Sequence, residues 1–290
     1  MIKKLLHKLP TTKIKITFAK TLYLLVTAFL GKGGRIIKRN GILYDVDLSE
    51  GIDLSLFLFG NFQKHVTKNQ FLSLSEDSIV FDIGANFGIM TLQYAKSVPR
   101  GMVYAFEPTH YALGKLKKNL RLNSNLKKRI KIINMFASKK SEVTPEIRAF
   151  SSWKVDSSNN ANIHPIHWGS AKSAIGVKST TLDKFCSKNK IKRLDLIKID
   201  TDGHEPEVLS GARKIITRFR PTIIFEAGEY VLRDKGITSL FYLDFFKKLH
   251  YFLFDIQHKK IITYKNYQSI IPLLGTIDII GIPAKKNLSA

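Results

Sequence analysis

The chain has 290 residues, of which 44% are hydrophobic, and this is enough to bury one large core with an additional segment. Its formal net charge of +24 favours polyanionic partners, although lysines scattered over solvated faces would give the same total. The single cysteine, Cys186, excludes an internal disulfide framework and a multi-cysteine zinc site, so a reducing cytoplasm is the expected location.

Residues 1–35 form a basic and apolar N-terminal segment that we expect to be helical. Its apolar stretch, Phe18 to Leu30, would rise only about 20 Å as a helix, short of the roughly 30 Å hydrocarbon core of a bilayer. A small-residue cleavage site of the kind a signal peptide needs is not evident after it. Two interpretations stay open: a helix packed on the domain, which we favour, or a segment lying peripherally on an anionic membrane surface.

The rest of the chain predicts an α/β fold. Residues 36–60 predict short strands with a turn at Asn40-Gly41, within an N-terminal extension over 36–78. Beyond this extension strands alternate with helices, and apolar runs predict strands at 79–84, 102–107, 130–137, 194–200, 222–227, 251–256 and 277–282. Apolar runs without alternation are typical of strands covered on both faces, which indicates a doubly wound, mostly parallel sheet. No helix-length segment separates the last two strands, so we expect them to close the sheet as an antiparallel pair.

Residues 138–176 interrupt this alternation with a polar stretch that predicts a long loop or a hairpin insertion. Loops of this length in compact domains are commonly functional. The spacing of His164 and His167 is not the i, i+4 zinc pattern, and we expect no metal here. Trp153 and Trp168 are suited to stack on a sugar or another ring. The insertion is therefore predicted to form a lid or an acceptor loop.

The stretch VFDIGANFG, residues 80–88, joins the first strand of the sheet to the next helix. Its G-x-x-x-G spacing differs from the dinucleotide G-x-G-x-x-G fingerprint, and no GK[ST] follows as in a P-loop. Asp82 would also repel a phosphate. A cationic nucleoside fits better, and Glu107, one strand later, is placed to accept hydrogen bonds from both ribose hydroxyls. The pattern favours S-adenosylmethionine as the cofactor, although dehydrogenases share the ribose-binding acid.

Several motifs resemble those of the FkbM-type S-adenosylmethionine-dependent methyltransferases: DIGANFG, AFEP, LDLIKIDTDGHEPEVLSGA and RPTIIFE. The resemblance covers roughly residues 36–283 and is weakest over 138–176. It implies a class I methyltransferase (Rossmann-like) domain over 79–284, whose seven-stranded sheet has a reversed strand in the penultimate position, formed by the last segment of the chain. Members of this family typically methylate hydroxyl oxygens of sugars, polyketides or related metabolites, so a small-molecule or glycan acceptor is implied.

The resemblance also implies site residues by position. Those on the methionine and ribose side of the methyl donor are Asp82, Gly84, Asn86, Gly88 and Glu107, those near the adenine are Phe136 and Ala137, and those facing the transferred methyl are Asp200, Asp202, His204 and Glu205. Gln63 stands where family members often carry glutamate, which leaves the role of this position open.

His204 is the natural candidate for the catalytic base. Methyl transfer to an alcohol requires removal of the hydroxyl proton as the new bond forms. An imidazole titrates near pH 6.5, close to neutrality, and Glu205 would orient or replace it. The alternative is that DGHEPE is only a capped helix start, in which acids are favourable in the first turn.

Other functions stay open beside O-methylation. The net charge and the lysine-rich run at 115–132 would suit an RNA methyltransferase, but IDTD follows the fourth strand in place of an Asn-Pro-Pro-Tyr-type motif, so a nucleic-acid acceptor is not favoured. A non-catalytic binding module recruited to membranes through its first 30 residues would have the same fold. A dinucleotide dehydrogenase would instead bind NAD.

Overall fold

A computed structural model describes residues 11–141, 148–151, 170–233 and 235–284. Numbered in chain order, the helices are α1 (Thr11–Leu30), α2 (Gly51–Phe59), α3 (Lys64–Thr67), α4 (Ile89–Ser97), α5 (His110–Leu122), α6 (Ser124–Lys127), α7 (Leu182–Lys188), α8 (Glu205–Ser210), α9 (Arg213–Phe219), α10 (Glu229–Arg233), α11 (Leu240–Lys248) and α12 (Tyr267–Ile270). The strands are β1 (Gly34–Arg39), β2 (Ile42–Asp47), β3 (Ile79–Ile83), β4 (Met102–Phe106), β5 (Ile130–Ile133), β6 (Phe136–Ala137), β7 (Arg148–Ser151), β8 (Ser170–Ser173), β9 (Ser179–Thr180), β10 (Leu196–Ile199), β11 (Thr222–Ala227), β12 (Tyr251–Asp255), β13 (Lys260–Ile262) and β14 (Ile277–Pro283).

Within the described ranges, eight strands form the main sheet in the order β13-β12-β14-β11-β10-β3-β4-β5. The strands from β11 to β5 are parallel to one another, whereas β14 is antiparallel to both β11 and β12. The expected doubly wound, mostly parallel sheet is therefore confirmed, with the last strand of the chain inserted, reversed, between β11 and β12. The three-residue β13 adds an edge strand to the seven that were expected.

Two hydrophobic cores lie on the opposite faces of this sheet. Along β3, Val80 joins one core and Phe81 the other, because successive side chains of a strand point to opposite faces. The core around Phe81 includes α7, α8, α9 and α11. The core around Val80 includes α4, α5 and the hairpin of β1 and β2. Burial on both faces explains why these strands are apolar throughout.

The N-terminal extension differs from the prediction of strands over 36–60. β1 and β2 do form a hairpin, and Asn40 and Gly41 have the positive φ values, 49° and 76°, that its tight turn requires. Gly51–Phe59, however, is the helix α2, which Gly60 ends in a left-handed conformation with φ of 70°. A short apolar run does not by itself distinguish a strand from a buried helix, and the glycine after it was the available signal.

Two asparagines, Asn119 in α5 and Asn123 directly after it, attach this hairpin to the domain. Asn119 Oδ1 accepts the amide of Asp45 at 2.8 Å, and Asn123 Oδ1 accepts the amide of Leu43 at 2.9 Å. Asn119 Nδ2 also donates to the carbonyl of Phe87 at 2.8 Å. The extension is thereby fixed to the turn that follows β3.

One face of α1 packs on the extension, and the other face is exposed. Tyr23 is only 4% exposed and belongs to the core around Val80, against which Val26 also packs. Leu24, Leu25 and Phe29 point away from it. No helix in the part of the chain that the structure describes is long and apolar enough to cross a membrane.

The described ends of the predicted insertion form a strand pair. β7 and β8 are antiparallel, which agrees with the hairpin alternative, and Lys172 Nζ lies 4.6 Å from the ring centre of Tyr111 on α5. Trp153 and Trp168, predicted to stack on a ring, lie outside the described residues, as do His164 and His167, where no metal was expected.

Candidate functional site

A cavity of about 310 Å³ lies at the carboxyl ends of β3, β4, β10 and β11. The chain runs outward from β3 to β5 in one direction and from β10 to β11 in the other, so the cavity sits at the switch point of the sheet. Nine of the residues named from the sequence line this cavity: Gln63, Gly84, Asn86, Glu107, Phe136, Ala137, Asp200, Asp202 and His204. The other three predicted site residues, Asp82, Gly88 and Glu205, do not line it.

The turn after β3 has a backbone that requires glycine. Gly84 has a φ of +76°, and a Cβ at this residue would lie 1.8 Å from the carbonyl oxygen of Asp200. The amides of Gly84 and Ala85 both donate to the carbonyl of Phe106, at 3.0 and 2.9 Å. The turn is therefore held tightly between the ends of β4 and β10, with its own backbone facing the cavity.

Gly88 serves the packing of this turn rather than the cavity wall. It has a φ of +90° and immediately precedes α4, and a Cβ there would lie 2.4 Å from Leu116 Cδ1 of α5. The expectation that Gly88 lines the donor site is corrected: close packing between α4 and α5 requires this glycine.

Glu107 connects the turn to the end of β4. Its Oε2 accepts the amide of Asn86 at 2.8 Å, and its Oε1 accepts the amide and hydroxyl of Thr109 at 2.8 and 2.6 Å. Burial raises the pKa of Glu107, and these hydrogen bonds oppose that rise. Since a carboxylate accepts about four hydrogen bonds, one strong acceptor position remains on Oε2. Hydrogen bonds from both ribose hydroxyls were predicted, and the one remaining position can accept only one of them.

A buried lysine that the sequence analysis did not single out lies at the centre of the site. The side chain of Lys198, in β10, is 5% exposed, and its Nζ lies 3.3 Å from Asp82 Oδ1 and 3.5 Å from Asp200 Oδ2. It also donates to the carbonyl of Gly84 at 3.2 Å. Burial opposes the charge, but the two carboxylates outweigh it and hold the pKa of Lys198 above its usual value. A lysine inside the apolar run LIKI was the signal for this role.

Asp82 stands behind the cavity wall rather than in it. Its side chain is fully buried, accepts a hydrogen bond from Thr91 Oγ1 at 2.5 Å, and forms the ion pair with Lys198. Asp82 was expected to contact the ligand. In the structure its carboxylate instead holds Lys198, which lines the cavity.

Three carboxylates meet on the other side of Lys198. Oxygen atoms of Asp200, Asp202 and Glu226 all lie within 4.8 Å of one another. Burial and then the neighbouring carboxylates raise the pKa of both Asp202 and Glu226 well above the usual range. Thr276 Oγ1 donates to Glu226 Oε1 at 2.6 Å. Such a group favours a positively charged ligand, and its oxygen atoms are of the type that binds a divalent cation. Glu226, the acid at the end of TIIFEA, was not predicted.

The turn after β10 is organised by Glu205. This residue is 1% exposed, and its Oε1 accepts the amide and hydroxyl of Thr201 at 2.8 and 3.0 Å and the amide of Gly203 at 3.3 Å. Asp202 has a φ of +51° in this turn, which presents its side chain to the cavity. Glu205 itself does not line the cavity; its carboxylate shapes the turn, and its predicted catalytic role stays a prediction.

His204 lines the cavity beside a lysine. Lys235 Nζ lies 3.1 Å from His204 Nδ1 and 3.1 Å from Glu207 Oε1. Desolvation by the surrounding protein and the Lys235 cation lower the pKa of His204, which keeps its ring neutral near pH 7. Because an ammonium group only donates hydrogen bonds, Nδ1 must accept, and the ring proton is on Nε2. With its proton on Nε2, the ring can donate a hydrogen bond from that atom, and the role of His204 as a base stays a prediction.

The remaining wall comes from loops and from the N-terminal extension. Phe136 and Ala137, predicted to lie near the adenine, line it in the short strand β6 that pairs with β9. Ile52, Phe62 and Gln63 of the extension also line the cavity, and Gln63 has a left-handed conformation with φ of 45°. The side chain at this position, whose role was left open, therefore faces the cavity.

Comparison with known proteins agrees with this geometry. Residues 82–256, more than half of the chain, match the model of the methyltransferase FkbM domain. The chain is 24% identical over 164 residues to the 2-O-methyltransferase NoeI of Sinorhizobium fredii, a match covering 52% of this chain and 65% of NoeI, just under two thirds of its length. It is 24% identical over 195 residues to the methyltransferase sdnD of Sordaria araneosa, covering 57% of this chain and 75% of sdnD.

Solved structures align with this chain at low identity. The FkbM methyltransferase of Methylobacillus flagellatus KT aligns with a TM-score of 0.45 and 17% identity, over 73% of this chain and 45% of the other. The sheet order with one reversed strand is that of the class I methyltransferases, and the family supports S-adenosylmethionine as the cofactor. The family match, which includes both the turn after β3 and the turn after β10, identifies this chain as a member of the FkbM methyltransferase domain family.

Proposed function

We propose that this methyltransferase transfers a methyl group from S-adenosylmethionine to a hydroxyl oxygen of a sugar, a glycan or a related small metabolite. The observation that carries the proposal is the group of three carboxylates, Asp200, Asp202 and Glu226, which lines a cavity next to a single buried cation, Lys198. Such a site favours a cationic cofactor and an acceptor rich in hydroxyl groups. The similarity to NoeI, a 2-O-methyltransferase, supports oxygen as the acceptor atom.

The residues on the other side of the cavity fit the cofactor. At Gly84 the backbone approaches so closely that no side chain is accommodated, and the adjacent Asn86 lines the cavity. The remaining acceptor position of Glu107 Oε2 would take a ribose hydroxyl, and Phe136 and Ala137 would contact the adenine. When bound, S-adenosylmethionine supplies a methyl group that its sulfonium has already activated.

We assign the proton-accepting role to Asp202. Its raised pKa makes this carboxylate a stronger base than an ordinary aspartate, and the nearby charge of Lys198 favours the ionised form that must accept the proton. His204, whose Nε2 carries a proton, would donate a hydrogen bond to the acceptor oxygen and so position it. The reaction then needs alignment and a base from the chain, since the activation of the methyl group comes from the cofactor.

The test compares Asp202→Asn, His204→Gln and the control Asp244→Asn, which removes a carboxylate on the exposed side of α11. Turnover with labelled S-adenosylmethionine is measured on a panel of sugars, glycans and mixed RNA, and cofactor affinity by calorimetry. We expect Asp202→Asn to lower kcat by about 100-fold or more, with little change in cofactor affinity, because a general base contributes that much. His204→Gln should mainly raise the KM for the acceptor, and Asp244→Asn should change neither.

The pH profile adds a second readout. Because Asp202 must be ionised, kcat of the wild type should rise with pH through the raised pKa of this group and then level off. Full activity of Asp202→Asn would contradict the assignment of the base. Methyl incorporation into RNA alone would contradict the acceptor class, and absence of cofactor binding would contradict the function as a whole.

A further inference from the structure

The exposed side of α1 forms an apolar surface, which we call the docking face. Its members are Leu24, Leu25, Phe29 and Leu30, exposed by 65, 54, 86 and 53%. Leu25 and Phe29, four residues apart, lie on the side of the helix away from the buried Tyr23, and Leu24 and Leu30 are their neighbours in the chain. Four large exposed apolar side chains within two helical turns are a higher local density than the single exposed apolar residues common on soluble proteins.

The docking face continues past the end of the helix. Arg35 Nη2 donates to the carbonyls of Leu30 and Gly31, at 3.2 and 3.1 Å, which holds the start of β1 against the end of α1. Ile36, the next residue of β1, is 57% exposed, and Phe59, at the end of the helix α2 on which α1 packs, is 60% exposed. The apolar exposure of this region therefore involves three elements that are fixed to one another.

The charge of the same region has one sign. Residues 1–44 contain ten lysines and arginines and no aspartate or glutamate. Lys20 and Lys32, on either side of the docking face along the chain, are both exposed. A polyanion alone would match the cations and leave the apolar side chains in water, whereas the interface of an anionic bilayer matches both.

We propose that α1 lies on the surface of an anionic lipid bilayer, with the docking face among the acyl chains and Lys20 and Lys32 at the headgroups. The helix lies in the interface rather than across the bilayer, in keeping with the finding that no described helix could cross one. The first turn of α2 supplies Ile52 to the cavity wall, and its last residue is the exposed Phe59. Binding through α1 would therefore hold the cavity close to the membrane surface. This inference does not depend on the proposed function.

The experiment is sedimentation of the full chain with vesicles of phosphatidylcholine alone or mixed with phosphatidylglycerol. We expect binding to the mixed vesicles only, weakened by salt. Leu25→Ser/Phe29→Ser should weaken binding by about 10-fold or more, because two large apolar side chains no longer enter the acyl region. Lys20→Glu/Lys32→Glu should weaken it to a similar degree.

Two matched controls separate the docking face from general effects. Phe252→Ser/Leu273→Ser removes apolar side chains that are 54 and 47% exposed elsewhere, and Lys117→Glu/Lys127→Glu makes the same change of charge on α5 and α6. Both controls should bind vesicles like the wild type.

Several outcomes would overturn the proposal. One is a wild-type chain that stays in the supernatant with the mixed vesicles. Another is unchanged binding by Leu25→Ser/Phe29→Ser with a wild-type melting temperature; if that variant does not fold, unchanged binding by Lys20→Glu/Lys32→Glu is decisive in its place. Preferential binding of mixed RNA that the docking-face substitutions weaken equally would assign the surface to nucleic acid instead.

Discussion

Gly84 is a glycine because the protein itself occupies the space of a side chain at this residue. A Cβ would lie 1.8 Å from the carbonyl oxygen of Asp200, and the φ of +76° disfavours any other residue independently of that contact. The close approach joins the two turns that carry the site, one after β3 and one after β10. Gly84 thus sets the distance between the turn after β3, proposed to bind the cofactor, and the turn after β10, which carries the proposed base Asp202.

Gly84→Ala should therefore destabilise the fold by about 2–5 kcal/mol, from left-handed strain together with overpacking, and should abolish cofactor binding. Chemical denaturation and calorimetry measure the two effects. Gly176→Ala is the matched control, because Gly176 has a φ of +77° and nothing lies within 4 Å of its added Cβ. Gly176→Ala should be destabilised only by the left-handed strain, about 1–2 kcal/mol. Equal effects of the two substitutions would show that the contact with Asp200 is unimportant.

At the level of elements, β3 and β10 are joined by a buried ion pair as well as by their backbone ladder. Asp82 and Lys198 are direct partners in the parallel register, with side chains 0 and 5% exposed. A lysine in a central apolar strand is tolerated only because carboxylates on both its own and the neighbouring strand compensate its charge. The pair holds the Lys198 cation next to the three carboxylates of the cavity, Asp200, Asp202 and Glu226.

Lys198→Met should destabilise the protein by about 3–5 kcal/mol, because it leaves Asp82 buried without its cation. Lys198→Met/Asp82→Asn should recover a substantial part of this loss, since the unpaired charge is removed as well. Denaturation of the two variants and of Asp82→Asn completes a double-mutant cycle. Additive effects, with no recovery in the double variant, would contradict the coupling.

For the whole molecule, the N-terminal extension is fastened to the domain at separate places. Asn119 of α5 and Asn123, directly after that helix, accept hydrogen bonds from two amides of β2. His65 of α3 binds Asp278 of β14, with 2.6 Å between Nε2 and Oδ2. The last strand of the chain is thereby connected to a residue 213 positions earlier. The extension closes one side of the cavity, so these contacts affect the site as well as stability.

The contact of His65 predicts a dependence of stability on pH. The hydrogen bond to Asp278 raises the pKa of His65, although burial opposes this. A histidine with a raised pKa in the folded state stabilises the protein fully below about pH 6.5 and loses this contribution as pH rises through the folded pKa. His65→Asn should therefore reduce the unfolding free energy at pH 6 by about 1 kcal/mol or less, after solvent screening, and by a smaller amount at pH 8. Parallel pH profiles of wild type and variant would contradict this.

The sequence by itself determined the sheet, the position of the site and the family. A strand buried on both faces requires an apolar run, and a turn with positive φ requires glycine. Both requirements are local, so the sequence shows them directly, as in residues 80–88. The helix α2 was missed because a short apolar run fits a strand or a buried helix equally well, and packing decides between them.

Only the tertiary structure decided what each polar side chain in the site does. Asp82 and Glu205, both expected at the ligand, instead bind Lys198 and the turn after β10, while Glu226 reaches the cavity from another strand. Lys235 lies 31 residues from His204 and fixes which ring nitrogen carries the proton. Hydrogen bonds and ion pairs depend on distances of a few ångströms between segments that are remote in the chain, and residue spacing carries no information about those distances until the fold brings the segments together.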